Sequence, residues 1–142
     1  MRLNASMSQV AKQFNRVQRA FLRVLDNHNR KLVDYEDDVW SFCQNCWHLT
    51  DWIKNDTRGV AKATRAKIGV EVKSYPTLVI VGELTNKSKN LEVTSNVAEE
   101  DGKQHGEILL TVIDINGDEI PVKNLAIDAM KNWMAIFKKY RL

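Results

Sequence analysis

Apolar side chains return every three or four residues near the start of the chain, at Met7, Val10, Phe14, Val17, Phe21 and Val24, with Ala11, Leu25 and Leu32 beside them. That period predicts a long amphipathic helix from about Ser6 to Lys31. A second helix is expected to open at Asp34 or Tyr35. Its first turn is acidic (Glu36, Asp37, Asp38), as the positive end of a helix dipole favours, and it runs to about Asn55. Thr57 is placed to cap a shorter third helix through Lys67. Residues 74–90 carry two readings. Leu78-Val79-Ile80-Val81 has the β-branched content of a buried strand, whereas Ser74 ahead of Pro76 fits a helix start with proline in the first turn. The helical reading, over residues 75–89, is the one followed.

The pattern changes after residue 90. Glu107–Asp114 and Glu119–Val122 flank Asn116-Gly117, a pair suited to the positive φ angles of a tight hairpin turn, and Leu91–Thr94 offers a third strand. Leu125, Ala126, Ala129, Met130, Trp133, Ile136, Phe137 and Tyr140 then describe another amphipathic helix. The expected class is α+β: a mainly helical bundle of about four helices, with a small antiparallel hairpin or sheet inserted before the C-terminal helix. At 142 residues the chain reads as a single domain, 1–142, able to bury roughly 70% of its unfolded surface.

Charge adds a second pattern. The net charge is +3, but residues 1–33 carry +6, 34–56 carry −5, 57–90 carry +5 and 91–142 carry −3. Alternating blocks can pack against one another, so they do not by themselves imply a nucleic-acid partner. Lys12, Arg16, Arg19, Arg23 and Arg30 would make a basic ridge about 25 Å long. It would suit a phosphate backbone or the acidic second helix, and no aromatic side chains interleave with it to stack bases. No apolar run approaches the roughly 20 residues of a membrane span, and Arg2 is not followed by the apolar core of a secretory signal. A cytoplasmic location without membrane association is expected.

The chemically richest stretch is Asp37–Asp56, which holds three of the four tryptophans, both cysteines and one histidine. On a helix turning about 100° per residue it divides into two faces. Tyr35, Val39, Phe42, Cys43, Cys46, Leu49, Thr50 and Ile53 share one face, which assigns the Cys43-x-x-Cys46 pair to the core. A zinc site would need a second ligand pair, and a redox pair would sit at a helix N-terminus. Neither a metal nor a cofactor is expected. Opposite runs a polar stripe, Asp37, Ser41, Gln44, His48, Asp51 and Asn55, bordered by Trp40 and Trp47 on one side and Trp52 on the other. Asp51 stands one turn after His48 and could fix its tautomer or raise its pKa. Aromatics beside a polar stripe mark an interface or a ligand groove. A solvated face and a buried polar network are the other readings.

Two resemblances bear on function. Arg23-Val-Leu-Asp-Asn-His28 resembles the arginine-to-histidine spacing of HEPN-type ribonucleases, which cleave RNA without a metal, although that motif usually lies late in the bundle. The segment Gln44-Asn-Cys-Trp-His-Leu49-x-Asp51-Trp-Ile-Lys-Asn-Asp56 resembles a signature of small uncharacterised bacterial proteins carried on mobile elements and gene cassettes. Their later motif has its counterpart in Glu83-Leu-Thr-Asn86-Lys-Ser88-Lys89-Asn90, where Asn90 stands in place of a histidine. That resemblance implies a helix over residues 75–89 and brings no assigned activity. It adds Asn86 and Lys89 to a candidate binding set of Gln44, Trp47, His48, Asp51, Trp52 and Asn55. The resulting expectation is a non-catalytic accessory protein that binds a small ligand or protein partner and self-associates, as a homodimer for instance. The alternative is a metal-independent ribonuclease of toxin or defence type, using His48 or His28.

Overall fold

Ser8 begins the first helix. Its Oγ accepts the Ala11 N–H at 3.0 Å, and the chain turns helical at Gln9. The computed structural model of the chain describes residues 8–56, 60–86, 91–93, 99–100, 103–104, 106–113 and 116–142. Five helices lie among them, one for each helical segment that the sequence pattern marks: α1 (Gln9–Leu25), α2 (Leu32–Lys54), α3 (Lys62–Val72), α4 (Pro76–Thr85) and α5 (Val122–Tyr140). The class is α+β and mainly helical, with the small antiparallel sheet set before α5.

α1 stops six residues short of the predicted Lys31. Asn29 takes a left-handed φ of 52°, and the segment around it pairs with the distant strand region instead of continuing the helix. Ile108 N–H donates to Asn27 O at 2.7 Å and Asn29 N–H to Gly106 O at 2.9 Å. The buried Asn27 side chain donates to Ile108 O at 2.9 Å. The freed carbonyls at the end of α1 are taken up by Arg30, whose guanidinium donates to Arg23 O and Asp26 O, each at 3.1 Å. α2 therefore starts at Leu32, and the predicted acidic first turn falls in its second.

α1 and α2 run antiparallel, as three cross-links show. Gln13 Nε2 donates to Asn45 O at 2.8 Å, Arg23 pairs with Asp38 at 3.4 Å, and Tyr35 Oη donates to Val24 O at 2.7 Å. Arg30 pairs with the same Asp38, so the acidic second helix receives part of the basic ridge of the first. Burial pushes the Tyr35 phenol up to about 12.

α3 lies later than the expected Thr57–Lys67 span. Ile68 and Val72 are its buried residues, and that apolar face carries the helix past Lys67. Thr57 lies outside the described residues. Pro76 opens α4 at a first-turn position, where its missing N–H is no loss. The helical reading of 75–89 holds through Thr85, and residues 87–90 lie outside the described residues.

The sheet is β1 (Leu91–Val93), β4 (Leu110–Ile113) and β5 (Glu119–Pro121), with β4 in the centre. Leu91 pairs with Val112, which pairs with Ile120. A second ladder, unforeseen in the sequence, joins β2 (Glu99–Glu100) to β3 (Lys103–Gln104). The hairpin differs from its expected form. Ile113 pairs with Glu119, so the connection is longer than two residues, and of Asn116-Gly117 only Gly117 has a positive φ, 83°. Pro121 ends β5 and leads directly into α5, so Val122 is the first helical residue and not the last of a strand.

The helices close on Trp133 of α5. It is fully buried, and its Nε1–H donates to Cys46 Sγ at 3.2 Å. Phe137 stacks on Phe14 with ring centroids 4.5 Å apart. At the far end of α5, Lys139 Nζ and Tyr140 Oη donate to Glu71 Oε1 at 2.7 and 2.8 Å. α5 is thereby tied to α1, α2 and α3.

Candidate functional site

α2 carries most of the residues singled out by the sequence, and the structure sorts them into three groups. Cys43 and Cys46 are free thiols buried in the core, as expected. Burial pushes Cys43 up to about 12. It raises Cys46 as well, with a further rise from Cys43 and a smaller opposing effect from the Trp133 hydrogen bond. Neither thiol is a nucleophile at neutral pH.

The polar stripe is the second group. Asp37, Gln44, His48, Asp51 and Asn55 are exposed, and Ser41 is half-buried. No hydrogen bond or ion pair joins His48 to Asp51, so no acid–base dyad is assembled there. The stripe meets a partly buried polar contact at Ser41. Asn45 donates to Ser41 O at 2.9 Å and receives Gln13 from α1.

The tryptophans, the third group, diverge. Trp40 and Trp47 are half-buried against the core, whereas Trp52 is exposed. A β-carbon on Gly82 would lie 2.9 Å from Cη2 and Cζ3 of the Trp47 ring. Trp47 is thus wedged between α2 and α4.

Beside Trp47 the surface opens into a groove of about 630 Å³ between the C-terminal half of α2 and α3. Trp47, Thr50 and Asp51 form one wall and Ala66, Gly69 and Val70 the other, over a floor of Ile53 and Ile68. Lys54, Lys62, Arg65 and Lys73 stand around it. Arg65 donates from Nη1 to Lys54 O at 2.8 Å and so covers the C-terminal end of α2. Its Nε is buried without a hydrogen-bond partner among the described residues. Val70 is 73% exposed.

Of the candidate binding residues, Trp47 and Asp51 line this groove. Gln44, His48 and Trp52 on α2, and Asn55 at its C-cap, lie outside that lining. Asn86 is exposed at the end of α4, where its N–H donates to Gly82 O at 3.0 Å. Lys89 lies outside the described residues. The α3 wall was missed by sequence reasoning. Its signal was Gly69, a glycine inside a helix, with Ala66 one turn before it.

The arginine–histidine spacing of the ribonuclease resemblance does not form one helical face. Arg23 is in α1 and pairs with Asp38, while His28 has left the helix and bridges to Glu107. Among the described residues no group of three or more His, Cys, Asp or Glu is arranged to hold a metal ion. None of the described helices is long and apolar enough to cross a membrane.

No protein-family model matches the chain, and comparison with curated proteins and with solved structures gave no significant match. The groove must therefore be read from its own chemistry.

Proposed function

We propose that this chain is a non-catalytic binding module and that the groove between α2 and α3 is its binding surface. The observation that carries this reading is the groove itself: about 630 Å³ of mainly apolar space with a few charged groups at its edge. Binding pockets for ligands run from about 300 to 1,000 Å³ and combine an apolar lining with a small number of polar groups. The exposed, unconnected His48 and Asp51 favour binding over acid–base chemistry, which needs a positioned pair.

The test uses the full chain and the anionic dye anilinonaphthalene sulfonate, which brightens in apolar sites. The dye is expected to bind the native protein and to be excluded by Gly69→Leu. A β-carbon at position 69 would meet no atom within 4 Å, so a leucine there can project into the groove without a clash at its β-carbon. Native protein that leaves the dye dark, or a Gly69→Leu variant that binds it unchanged, would reject the reading.

A further inference from the structure

The groove has a shape and a charge, and together they specify an occupant. Its α3 wall is built from Lys62, Arg65 and Ala66, Gly69 and Val70, then Lys73, a spacing of three and four that forms one continuous helical stripe. The eleven steps from Lys62 to Lys73, at about 1.5 Å each, make that stripe about 16 Å long, open along its length. On the other side of α3 lies a second, more open hollow lined by Ala66, Lys67, Val70, Glu71, Ser74 and Tyr140. α3 therefore stands as a ridge between two hollows, with the exposed Val70 facing both.

Resting on the groove's being the binding surface, we infer that its occupant is an acidic amphipathic helix of a partner protein, laid along α3. Ridge-and-groove packing brings helix axes close where the contacting side chains are small, and Ala66 and Gly69 supply that contact. Gly69 weakens its own helix, and no neighbour within 4 Å of its would-be β-carbon requires a glycine. Close approach by a second backbone supplies the requirement. A helix crossing here would cover Val70 and set its apolar stripe over Ile53 and Ile68.

Charge selects the flanks of that helix. Lys54, Lys62, Lys67 and Lys73 are all exposed around the ridge. The acid on α3, Glu71, is already bonded to Lys139 and Tyr140. The exposed carboxylate in the groove wall is Asp51, against these lysines. An acidic helix is attracted to such a surface and a basic one repelled. The apolar floor of Ile53 and Ile68 with the exposed Val70 beside it suits the apolar stripe of a protein helix.

The experiment titrates the full ¹⁵N-labelled chain with three probes: an amphipathic peptide with leucines along one face and glutamates on its flanks, the same peptide with lysines for the glutamates, and dodecanoate. The acidic peptide is expected to shift the amide resonances of residues 62–73 and to bind at least about tenfold more tightly than the lysine peptide. Gly69→Leu should abolish binding, and Lys62→Glu with Lys73→Glu should weaken it about tenfold or more. Equal binding of the two peptides, or binding of neither, overturns the inference. If the dye or dodecanoate binds in a Gly69-sensitive way and neither peptide does, the helix falls and the groove reading stands. If the dye fails too, both fall. A dimer in solution that shields residues 62–73 and excludes the peptide would name a second copy as the occupant and also overturn the inference.

Discussion

The ring of Trp47 occupies the space that a side chain on Gly82 would need: a β-carbon there would stand 2.9 Å from two of its ring carbons. This contact fixes how α4 lies on α2, and one wall of the groove is the same ring. Gly82→Ala is expected to destabilise the protein by about 1–2 kcal/mol, because overpacking outweighs the gain in helix propensity. In a Trp47→Leu background the same substitution should become neutral or stabilising. Urea denaturation of the four proteins of this double-mutant cycle measures the difference. Equal effects in both backgrounds would contradict the wedge.

Gly69 predicts the opposite. It sits inside α3 with open space around its would-be β-carbon. Gly69→Ala should therefore stabilise the free protein by about 0.5–1 kcal/mol, read as a higher denaturation midpoint with an unchanged slope. Two glycines in two neighbouring helices would then respond with opposite signs, one held by the fold and the other free of it.

The tie between α3 and α5 should titrate. Hydrogen bonds from Lys139 and Tyr140 hold the Glu71 carboxyl below its ordinary value of 4.5. A carboxyl whose pKa is depressed on folding stabilises the native state above the unfolded value and loses that contribution as pH falls through the folded one. The stability gap between the native sequence and Glu71→Gln should be constant near neutrality and close as the solution is acidified below about pH 4.5. Denaturation midpoints measured from pH 7 downward test this, and a gap that persists in acid would show that the charge on Glu71 does not matter.

Cys43 and Cys46 should be silent towards a thiol reagent such as dithiobis-nitrobenzoate at pH 8 in the native protein. Both are buried, and burial raises both thiol pKa values. Reaction should appear with global unfolding and track it across a denaturant series. Rapid labelling of the native protein would place them outside the core.

The helical faces were the legible part of this chain. The period of Val10, Phe14, Val17 and Val24 and the cysteine-bearing face of α2 identified residues that do face the core, because amphipathic spacing is a local property. What escaped depended on partners far along the chain. The early end of α1 comes from Asn27 and Asn29 pairing with Ile108 and Gly106, which local propensity does not register. The site was legible by halves. Trp47 and Asp51 stood out by residue type, but α3 contributes through Ala66, Gly69 and Val70, residues notable for what they lack. Position 69 becomes informative once the space around it is known.

The hydrogen bond from Trp133 to Cys46 joins residues 87 positions apart, and the helix that supplies Trp133 is synthesised last among the five. During translation, α1 and α2 can form their antiparallel pair early, since Gln13, Arg23 and Val24 find their partners within a short stretch of chain. The apolar face they prepare for Trp133, Ile136 and Phe137 must wait, uncovered, for the rest of the polypeptide. For that interval the nascent protein displays a sticky surface that the finished molecule never shows. Transiently exposed apolar surface of this kind favours aggregation, so the order of synthesis, and not the stability of the completed fold alone, bears on how much native protein accumulates.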